Sequence, residues 1–274
     1  MKKLIWILLL LLVPSLCFAW SPQQMHLQVI AQKNASTGPT NYLNDAAIVA
    51  AYYMNGNNDG ELDRSGNGEN LTEGGSVTDA GVNIPSGYSG SARWFQLADE
   101  ADYLYHADGG STDLSGADQE ITIVSWIRLS SLSTDQSVVD KYNTVVNGRQ
   151  YQFRFQSSTD DMYCGLSSDG ATFSFADSES NLSNLTFYHV ACVYDDSTIT
   201  MYIDGEVSGT PTNYTSGIFN GNAQFQIGKS NISGSGRWYG GQIDETAIFS
   251  RALSQAEIQG IMNYGIDGTQ GAND

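Results

Sequence analysis

An acidic, amide-rich stretch near residue 60 has the side chains to bind a metal ion. It reads Asn57-Asn-Asp-Gly-Glu-Leu-Asp63-Arg-Ser-Gly-Asn67, in which Asp59, Asp63 and Asn67 offer oxygen atoms. Calcium prefers about six to eight oxygen ligands from such side chains and from loop carbonyl groups. The order differs from that of an EF-hand, which ends on Glu at its last ligand position. The stretch predicts either a structural calcium site or an ordinary turn, because Asn, Asp and Gly also form turns.

Aromatic residues beside polar loops are the candidates for ligand binding. Trp238 and Tyr239 follow a loop rich in Gly and Ser, Tyr214 lies between Asn213 and Thr215, and Tyr142 precedes Asn143. Aromatic faces stack on sugar rings, while Asn and Asp side chains bind hydroxyl groups. We therefore predict a carbohydrate site that uses Trp238, Tyr239, Tyr214, Tyr142 and Asn143. The alternative for each aromatic residue is a place in the core.

The sequence shows no recognisable catalytic arrangement. A glycosidase needs two carboxylates about 5–9.5 Å apart beside the sugar, whereas Asp99-Glu100-Ala101-Asp102 and Asp160-Asp161 lie beside turns with unsuitable spacing. His26, His106 and His189 are far apart in the sequence. We therefore expect a binding protein and not an enzyme, with no catalytic residues.

The first residues have the pattern of an export signal. Met1-Lys-Lys is followed by an apolar run from Leu4 to Val13 and by Ala19. Residues 1–19 are therefore predicted to be a signal peptide cleaved near Ala19, which indicates a secreted, periplasmic or extracellular protein. No second apolar stretch approaches the length of about 20 residues that spans a membrane.

The net charge of −18 limits the partners. An acidic protein repels phosphate backbones and anionic membranes, so nucleic acid is not an expected partner.

Two cysteines remain after removal of the leader, Cys164 and Cys192. An even number of cysteines in an exported chain permits one disulfide. Both also lie among apolar strand residues, so two buried free thiols are the alternative. We expect the two residues on neighbouring strands.

Short strands between turns dominate the chain from Ala46 onward. Tyr151, Phe153 and Phe155 alternate with polar residues, as in a strand with one buried face. Segments 121–129 and 187–194 are apolar on both faces and should be inner strands. Residues 20–45 lack this pattern and are predicted to be an N-terminal arm.

One helix is predicted near the end of the chain. Ser254 and Glu257 form a capping box, Leu253 and Ile258 form a hydrophobic staple, and Gly265 ends the helix. A single helix after many strands favours a sandwich over an α/β enzyme.

Four segments in order resemble a known family. They are Asp63-Arg-Ser-Gly-Asn-Gly-Glu-Asn, Arg93-Trp-Phe-Gln-Leu through to Ile121-Thr-Ile-Val-Ser-Trp126-Ile, Tyr188-His-Val-Ala-Cys-Val-Tyr-Asp with Met201-Tyr-Ile-Asp-Gly205, and Gly241-Gln-Ile-Asp-Glu-Thr-Ala-Ile-Phe-Ser-Arg-Ala-Leu-Ser. This set is similar to the laminin-G-like, concanavalin A-like lectin/glucanase family. The resemblance covers about 46–268, with 269–274 as a tail.

The resemblance implies an all-β fold, a two-sheet antiparallel jelly-roll sandwich with one short C-terminal helix. It also implies that Asp244 comes close to the early loop and adds a ligand to a structural Ca²⁺ site. The glucanases of this fold carry Glu-x-Asp-x-Glu along one strand, and this sequence lacks it.

We conclude from the sequence that this is a secreted lectin-like module, stabilised by calcium, that binds carbohydrate or a surface glycoconjugate. The alternative is a structural or adhesive surface protein that contacts other proteins and has no sugar pocket.

Overall fold

The described part of the chain begins at residue 39. The computed structural model describes residues 39–56, 60–79, 84–86, 88, 90–97, 101–144, 148–230, 232 and 236–269. The predicted signal peptide, most of the predicted arm, Asp59 and all but the first residue of the predicted tail lie outside these residues. In the described ranges no helix is long and apolar enough to cross a membrane.

Two antiparallel sheets make up the described structure. Among the described residues, the first sheet has nine strands: β1 (Ile48–Tyr52), β4 (Thr78–Asp79), β5 (Arg93–Phe95), β7 (Ile121–Leu129), β12 (Phe187–Tyr194), β13 (Thr198–Ile203), β14 (Glu206–Val207), β15 (Thr212–Asn213) and β19 (Gly241–Phe249). Its central order is β14-β13-β12-β7-β19-β5-β4, with β1 paired to β19 and β15 to β13. The predicted inner strands are β7 and β12, each with a partner on both sides.

The second sheet has eight strands within the described ranges: β2 (Gly60–Glu61), β3 (Leu71–Gly74), β6 (Tyr103–His106), β8 (Gln136–Lys141), β9 (Tyr151–Gln156), β10 (Asp161–Leu166), β11 (Ser174–Asp177) and β16 (Phe225–Ile227). Their order is β11-β10-β9-β8-β16-β6-β3-β2. A separate two-stranded hairpin, β17 (Lys229–Ser230) with β18 (Arg237–Trp238), follows β16 directly in the chain.

The main core lies between the two sheets. The predicted alternation in β9 is present, because Tyr151, Phe153 and Phe155 are fully buried in this core. Met162 in β10 and Ile243 in β19 belong to the same cluster. The all-β, two-sheet sandwich predicted from the sequence is therefore confirmed.

A second, smaller core lies on the other face of the first sheet, under helix α1 (Gln255–Tyr264). The predicted capping box is present: the Glu257 amide donates to the Ser254 side chain, and the Ser254 amide donates 2.7 Å to the Glu257 carboxylate. Ile258 is buried in this core. A short 3-10 helix, Tyr42–Asn44, also contributes Tyr42, so packed structure begins before residue 46.

The structure joins Cys164 and Cys192 in a disulfide with a Cα–Cα distance of 6.1 Å. Cys164 lies in β10 of the second sheet and Cys192 in β12 of the first. The two residues are therefore on facing sheets and not on neighbouring strands as expected, because both side chains point into the core. The bond fastens the two layers of the sandwich together.

Mass measurement tests this bond. After denaturation without reductant, we expect alkylation to modify neither cysteine, and after reduction it should modify both. The bridge spans 28 residues, and closing such a loop in the unfolded chain corresponds to roughly 3–4 kcal/mol of stability. The doubly substituted Cys164→Ala/Cys192→Ala protein should therefore melt at a lower temperature than the intact protein. Adding reductant should not lower the melting temperature of this variant further. Two alkylated thiols before reduction would contradict the bond.

Candidate functional site

The outer face of the second sheet is lined by the residues that alternate with the core residues. Gln152 and Arg154 stand between the buried aromatic residues of β9, and Tyr105 follows the buried Leu104 of β6. Strand side chains point alternately to opposite faces, so these residues lie on the side away from the first sheet. We call this side the outer face.

One row of directly opposed residues crosses six strands of the outer face. It runs Tyr105, Gln226, Asp140, Gln152, Gly165 and Phe175, through β6, β16, β8, β9, β10 and β11. The row has an aromatic residue at each end and three polar residues in the middle. Neighbouring strands lie about 4.8 Å apart, so the row is roughly 24 Å long.

The middle of the row is polar and buried. Gln226, Asp140 and Gln152 are each 1% exposed or less, and Gln152 Nε2 donates 3.2 Å to Asp140 Oδ2. The hydroxyl groups of Ser137 and Ser230 lie beside the Asp140 carboxylate without hydrogen-bond geometry. We call Gln226, Asp140 and Gln152 the polar floor.

Several buried polar atoms around the floor make no hydrogen bond. Within the described residues, Asp140 Oδ1, Gln226 Oε1 and Arg154 Nε have no partner. Nearly all buried polar atoms in folded proteins have one, and each that lacks it costs about 1–3 kcal/mol. Other buried atoms without a partner lie elsewhere in the described residues, among them both ring nitrogens of His189 and Trp126 Nε1, so the floor is one of several such places.

Burial also changes the acidity of the floor. It raises the pKa of Asp140 to about 7, because desolvation disfavours the charged carboxylate. The side chain is therefore partly protonated near neutral pH and can act as donor as well as acceptor.

An aromatic cluster flanks one end of the floor. Tyr103 and Tyr105 of β6 contact each other with ring centroids 5.3 Å apart, and Trp238 of the hairpin meets Tyr103 edge to face at 6.0 Å. The Lys229 ammonium group lies 4.2 Å from the Tyr103 ring centroid and 4.4 Å from that of Trp238. All four side chains are half-buried. We call these residues the hairpin cluster.

A second aromatic group flanks the other end. Phe175 lies 5.2 Å from Phe173 and 6.1 Å from Tyr163, measured between ring centroids. Gly165 makes room for these rings, since a Cβ atom at this position would lie 2.4 Å from Phe175. The Arg154 guanidinium lies 5.0 Å from the centroid of the Tyr163 ring.

Charged side chains connect the hairpin with the sheet. Arg237 Nη1 donates to Gln152 Oε1 at 3.3 Å, and its Nε lies 3.5 Å from Asp135 Oδ2. Arg154 Nη1 lies 3.4 Å from the same Asp135 oxygen. Burial, together with repulsion from Arg237, lowers the pKa of Arg154. The two guanidinium groups therefore share one carboxylate.

Only part of the predicted ligand-binding set reaches the outer face. Trp238 is in the hairpin cluster, and Tyr142 stacks on Phe173 at 5.4 Å but is itself buried. Asn143 directly follows Tyr142 in the chain and is half-buried.

Tyr239 and Tyr214 have no ring face free for a ligand. Both are in the core between the sheets, where the Tyr239 hydroxyl donates to the Gln242 carbonyl and the Tyr214 hydroxyl to the Gly217 carbonyl. Tyr239 is fully buried against Phe95. These two predictions are corrected: the residues stabilise the fold.

Sequence reasoning missed Tyr103, Tyr105, Tyr163 and Phe175. A usable signal was present in the strands themselves, because each of these residues alternates with core residues along its strand. An aromatic residue on the outward parity of a strand is a better candidate for ligand binding than one beside a loop.

The predicted calcium ligands divide into two groups. Asp63 Oδ1 accepts from the Ala51 and Ser65 amides, and its Oδ2 accepts from the Ser65 hydroxyl and the Glu69 amide. The Asn67 amide group donates to the carbonyl groups of β1. Asp63 and Asn67 therefore act as turn-forming residues, which was the alternative interpretation.

Strand β1, which precedes the early loop, pairs with the part of β19 that follows Asp244 and Glu245, with Tyr52 opposite Thr246. Asp244 is buried, and its Oδ1 accepts from the Glu245 amide. In the described ranges no group of three or more His, Cys, Asp or Glu residues could hold a metal ion. Calcium binding stays a prediction.

Comparison with known proteins supports the sequence resemblance. A laminin-G-like family model, described as "Concanavalin A-like lectin/glucanases superfamily", matches residues 98–259, more than half of the chain. A comparison with curated proteins gave no match.

Solved structures share this fold at low sequence identity. The binding domain of Paraclostridial Mosquitocidal Protein 1 has a TM-score of 0.61 at 15% identity, over 79% of this chain and 52% of that one. The binding domain of botulinum neurotoxin DC in complex with SialylT has a TM-score of 0.60 at 14% identity, over 81% of this chain and 52% of that one. A third similar structure is domain 4 of AbnA, an extracellular GH43 arabinanase from Geobacillus stearothermophilus, in complex with arabinotriose. It has a TM-score of 0.56 at 20% identity, over 77% of this chain and 96% of that one. The chain thus spans about half of the toxin domains.

Asp63 should stabilise the fold without calcium. Replacing it by Ala removes four hydrogen bonds, so we expect the free energy of unfolding to fall by about 2–4 kcal/mol equally in calcium, magnesium and chelator. Thermal and urea unfolding in the three buffers measure this. Asp118→Ala, at an exposed acidic position, is the control and should change little. A loss seen only with calcium would instead make Asp63 a metal ligand.

Asp140 should make stability depend on pH. Its folded pKa lies above the ordinary value of about 3.9, so its contribution is fully present below about pH 4 and is lost as the pH rises to about 7. Asp140→Asn should therefore be more stable than wild type at pH 8, by on the order of 2–4 kcal/mol, and should lack this part of the pH dependence. Urea unfolding at pH 5, 6.5 and 8 tests it, with Asp118→Asn as control. If the free energy of unfolding changed with pH equally in Asp140→Asn and Asp118→Asn, Asp140 would not be the source of the pH dependence.

Proposed function

Because the chain belongs to the concanavalin A-like lectin/glucanase superfamily, we propose that it is a secreted, non-catalytic module that binds carbohydrate on the outer face of its second sheet. The single observation that carries this proposal is the row of opposed residues from Tyr105 to Phe175, aromatic at both ends and polar in the middle.

The chemistry of the row matches the two surfaces of a sugar. The apolar faces of sugar rings stack on aromatic side chains, which tolerate a polar edge beside them. The hydroxyl groups need donors and acceptors at fixed positions, which a few polar groups in a site provide. Gln226, Asp140 and Gln152 are at most 1% exposed, so they act by supporting the half-buried side chains beside them, such as Arg237, which donates to Gln152. Those half-buried groups are the ones that meet the hydroxyl groups of a ligand.

The length of the row indicates the size of the ligand. With roughly 24 Å between its ends, the outer face has room for a chain of several sugar rings. Trp238 and Tyr103 can stack on one part of the chain, while Phe173 and Phe175 stack on another. We therefore propose an oligosaccharide or polysaccharide segment as ligand.

The rigidity of the floor supports tight binding. Each polar residue of the floor lies between two strands and is buried, so little side-chain entropy remains to be lost when a ligand binds. The hairpin carrying Trp238 is fastened by the contacts of Arg237 with Gln152 and Asp135.

The carboxylates of the outer face support binding over hydrolysis. Asp135 is held by Arg154, Arg237, Gln156 and Ser157, and Asp140 is buried in the floor. A hydrolase instead needs one carboxylic acid and one carboxylate that both reach the glycosidic bond.

Two of the similar solved structures are complexes that agree with a binding role. Domain 4 of AbnA was solved with arabinotriose, and the binding domain of neurotoxin DC was solved with SialylT. The disulfide supports export, since such bonds persist in oxidising compartments. Export also agrees with the leader-like sequence of residues 1–19.

A glycan array with the intact protein and with Trp238→Ala tests the function. We expect saturable binding to at least one oligosaccharide, weakened about tenfold or more by the substitution, because a stacking ring is removed from the site. Isothermal titration of the best ligand gives the two dissociation constants.

The matched control is Tyr264→Ala, which removes an aromatic ring that is 41% exposed at the end of α1. This variant should bind as the intact protein does, and both variants should keep the wild-type circular dichroism spectrum. An array without any saturable signal would favour the structural or adhesive alternative. Equal affinity of Trp238→Ala and Tyr264→Ala would move the site away from the outer face.

A further inference from the structure

The distribution of positive charge over the molecule is uneven. The protein carries 30 acidic and 12 basic residues, and nine of the basic ones are in the described part of the chain. Three of these nine, Arg154, Lys229 and Arg237, surround the polar floor. A fourth, Arg149, lies over the Tyr142 ring at the edge of the outer face.

Of the five described cations away from the outer face, Arg64 and Arg128 have a ring or neutral polar partner, and the other three have more than one carboxylate. These three contact two carboxylates each: Arg93 with Glu61 and Glu73, Lys141 with Asp108 and Asp113, and Arg251 with Asp45 and Glu257. On the outer face two cations, Arg154 and Arg237, share the single carboxylate of Asp135. Lys229 has no carboxylate partner among the described residues.

The outer face also carries acidic residues. Asp140 has a pKa raised to about 7 by burial, so it is only partly ionised near neutral pH. Asp177 lies at the margin, opposite Tyr163 in the outermost strand pair. Asp161, which has the same outward parity as Tyr163, is a further carboxylate of this face. The uncompensated positive charge is therefore that of Lys229 in the hairpin, which has no carboxylate partner among the described residues, and such a charge attracts anions.

Lys229 is placed where a stacked sugar would meet it. Its ammonium group lies between the Tyr103 and Trp238 rings, 4.2 and 4.4 Å from their centroids. Burial lowers its pKa, because the charged form is partly desolvated without a counterion. An anionic group on the ligand would supply that counterion. Arg237, on the next strand of the hairpin, directs its Nε to Asp135 and its Nη1 to Gln152, and it adds a second positive charge beside Lys229.

We infer that the ligand of the outer face is an acidic glycan whose sugars carry carboxylate groups, bound through Lys229 and Arg237 of the hairpin. This inference rests on the proposed function, since it names the class of carbohydrate that the same face selects. It gives the cations of the hairpin a role in specificity, while the aromatic rings supply stacking that does not depend on the charge of the sugar.

Carboxyl reduction of the glycan tests the inference on the unmodified protein. Each polysaccharide that binds is compared with its carboxyl-reduced form, in which the uronic or sialic acid groups become neutral alcohols and the backbone is kept. We expect binding to weaken about tenfold or more after reduction, and binding of the acidic form to weaken as sodium chloride rises from about 50 to about 500 mM, because salt screens exposed charge pairs.

Substitutions in the hairpin give the matching test on the protein. Lys229→Met and Arg237→Gln should each weaken binding of the acidic glycan at least about fivefold and leave the affinity for its carboxyl-reduced form unchanged. Lys229→Arg should retain binding of the acidic glycan. The control is Arg128→Gln, which removes an equal charge from the first sheet, where Arg128 contacts Gln242. It should bind like the intact protein.

The outcomes separate this inference from the proposed function. Neutral glycans that bind and lose affinity in Trp238→Ala would keep the proposed function and overturn the acidic specificity. So would equal affinity for native and reduced glycans, or binding restricted to sulfated glycans that lack carboxylates. An array without any bound glycan would remove the proposed function itself.

Discussion

The packing of the two sheets against each other, which buries one face of each strand, determines where the side chains of the outer face lie. Tyr151, Phe153 and Phe155 are fully buried there, and since strand side chains alternate, Gln152 and Arg154 must lie outside. The same reasoning holds for the strands on either side of β9. The apolar core therefore determines the positions of the polar floor, although no core residue contacts a ligand on the outer face.

A disulfide, a strand pairing and a set of hydrogen bonds stabilise the packing of the sheets. The Cys164–Cys192 bond joins the layers, β1 pairs with β19 in the first sheet, and Asp63 holds the turn after β1 with four hydrogen bonds. Each of these satisfies its polar groups locally. On the outer face, Asp140 Oδ1 and Gln226 Oε1 are buried without a partner, and Arg154 and Arg237 share the Asp135 carboxylate. A rigid frame that holds aromatic and charged side chains in place is the arrangement expected of a preorganised binding site.

Membership of the superfamily and likeness to solved structures establish the fold, but a fold accommodates many functions. The similar solved structures named above are at most 20% identical to this chain. The proposed function therefore rests on this chain's own residues: the aromatic rings at both ends of the row, the polar floor, and the cations of the hairpin.

The sequence by itself determined the layers, the inner strands and the capped helix, because periodicity and capping are local properties of the chain. It did not decide between neighbouring aromatic residues: Trp238 reaches the outer face and Tyr239 the core, although both follow the same loop. Nor did it show which backbone amides the Asp63 carboxylate accepts from. Only the tertiary structure settled these positions, since which side of a strand is buried, and which amides meet a carboxylate, depends on segments that are distant in sequence and adjacent in the fold.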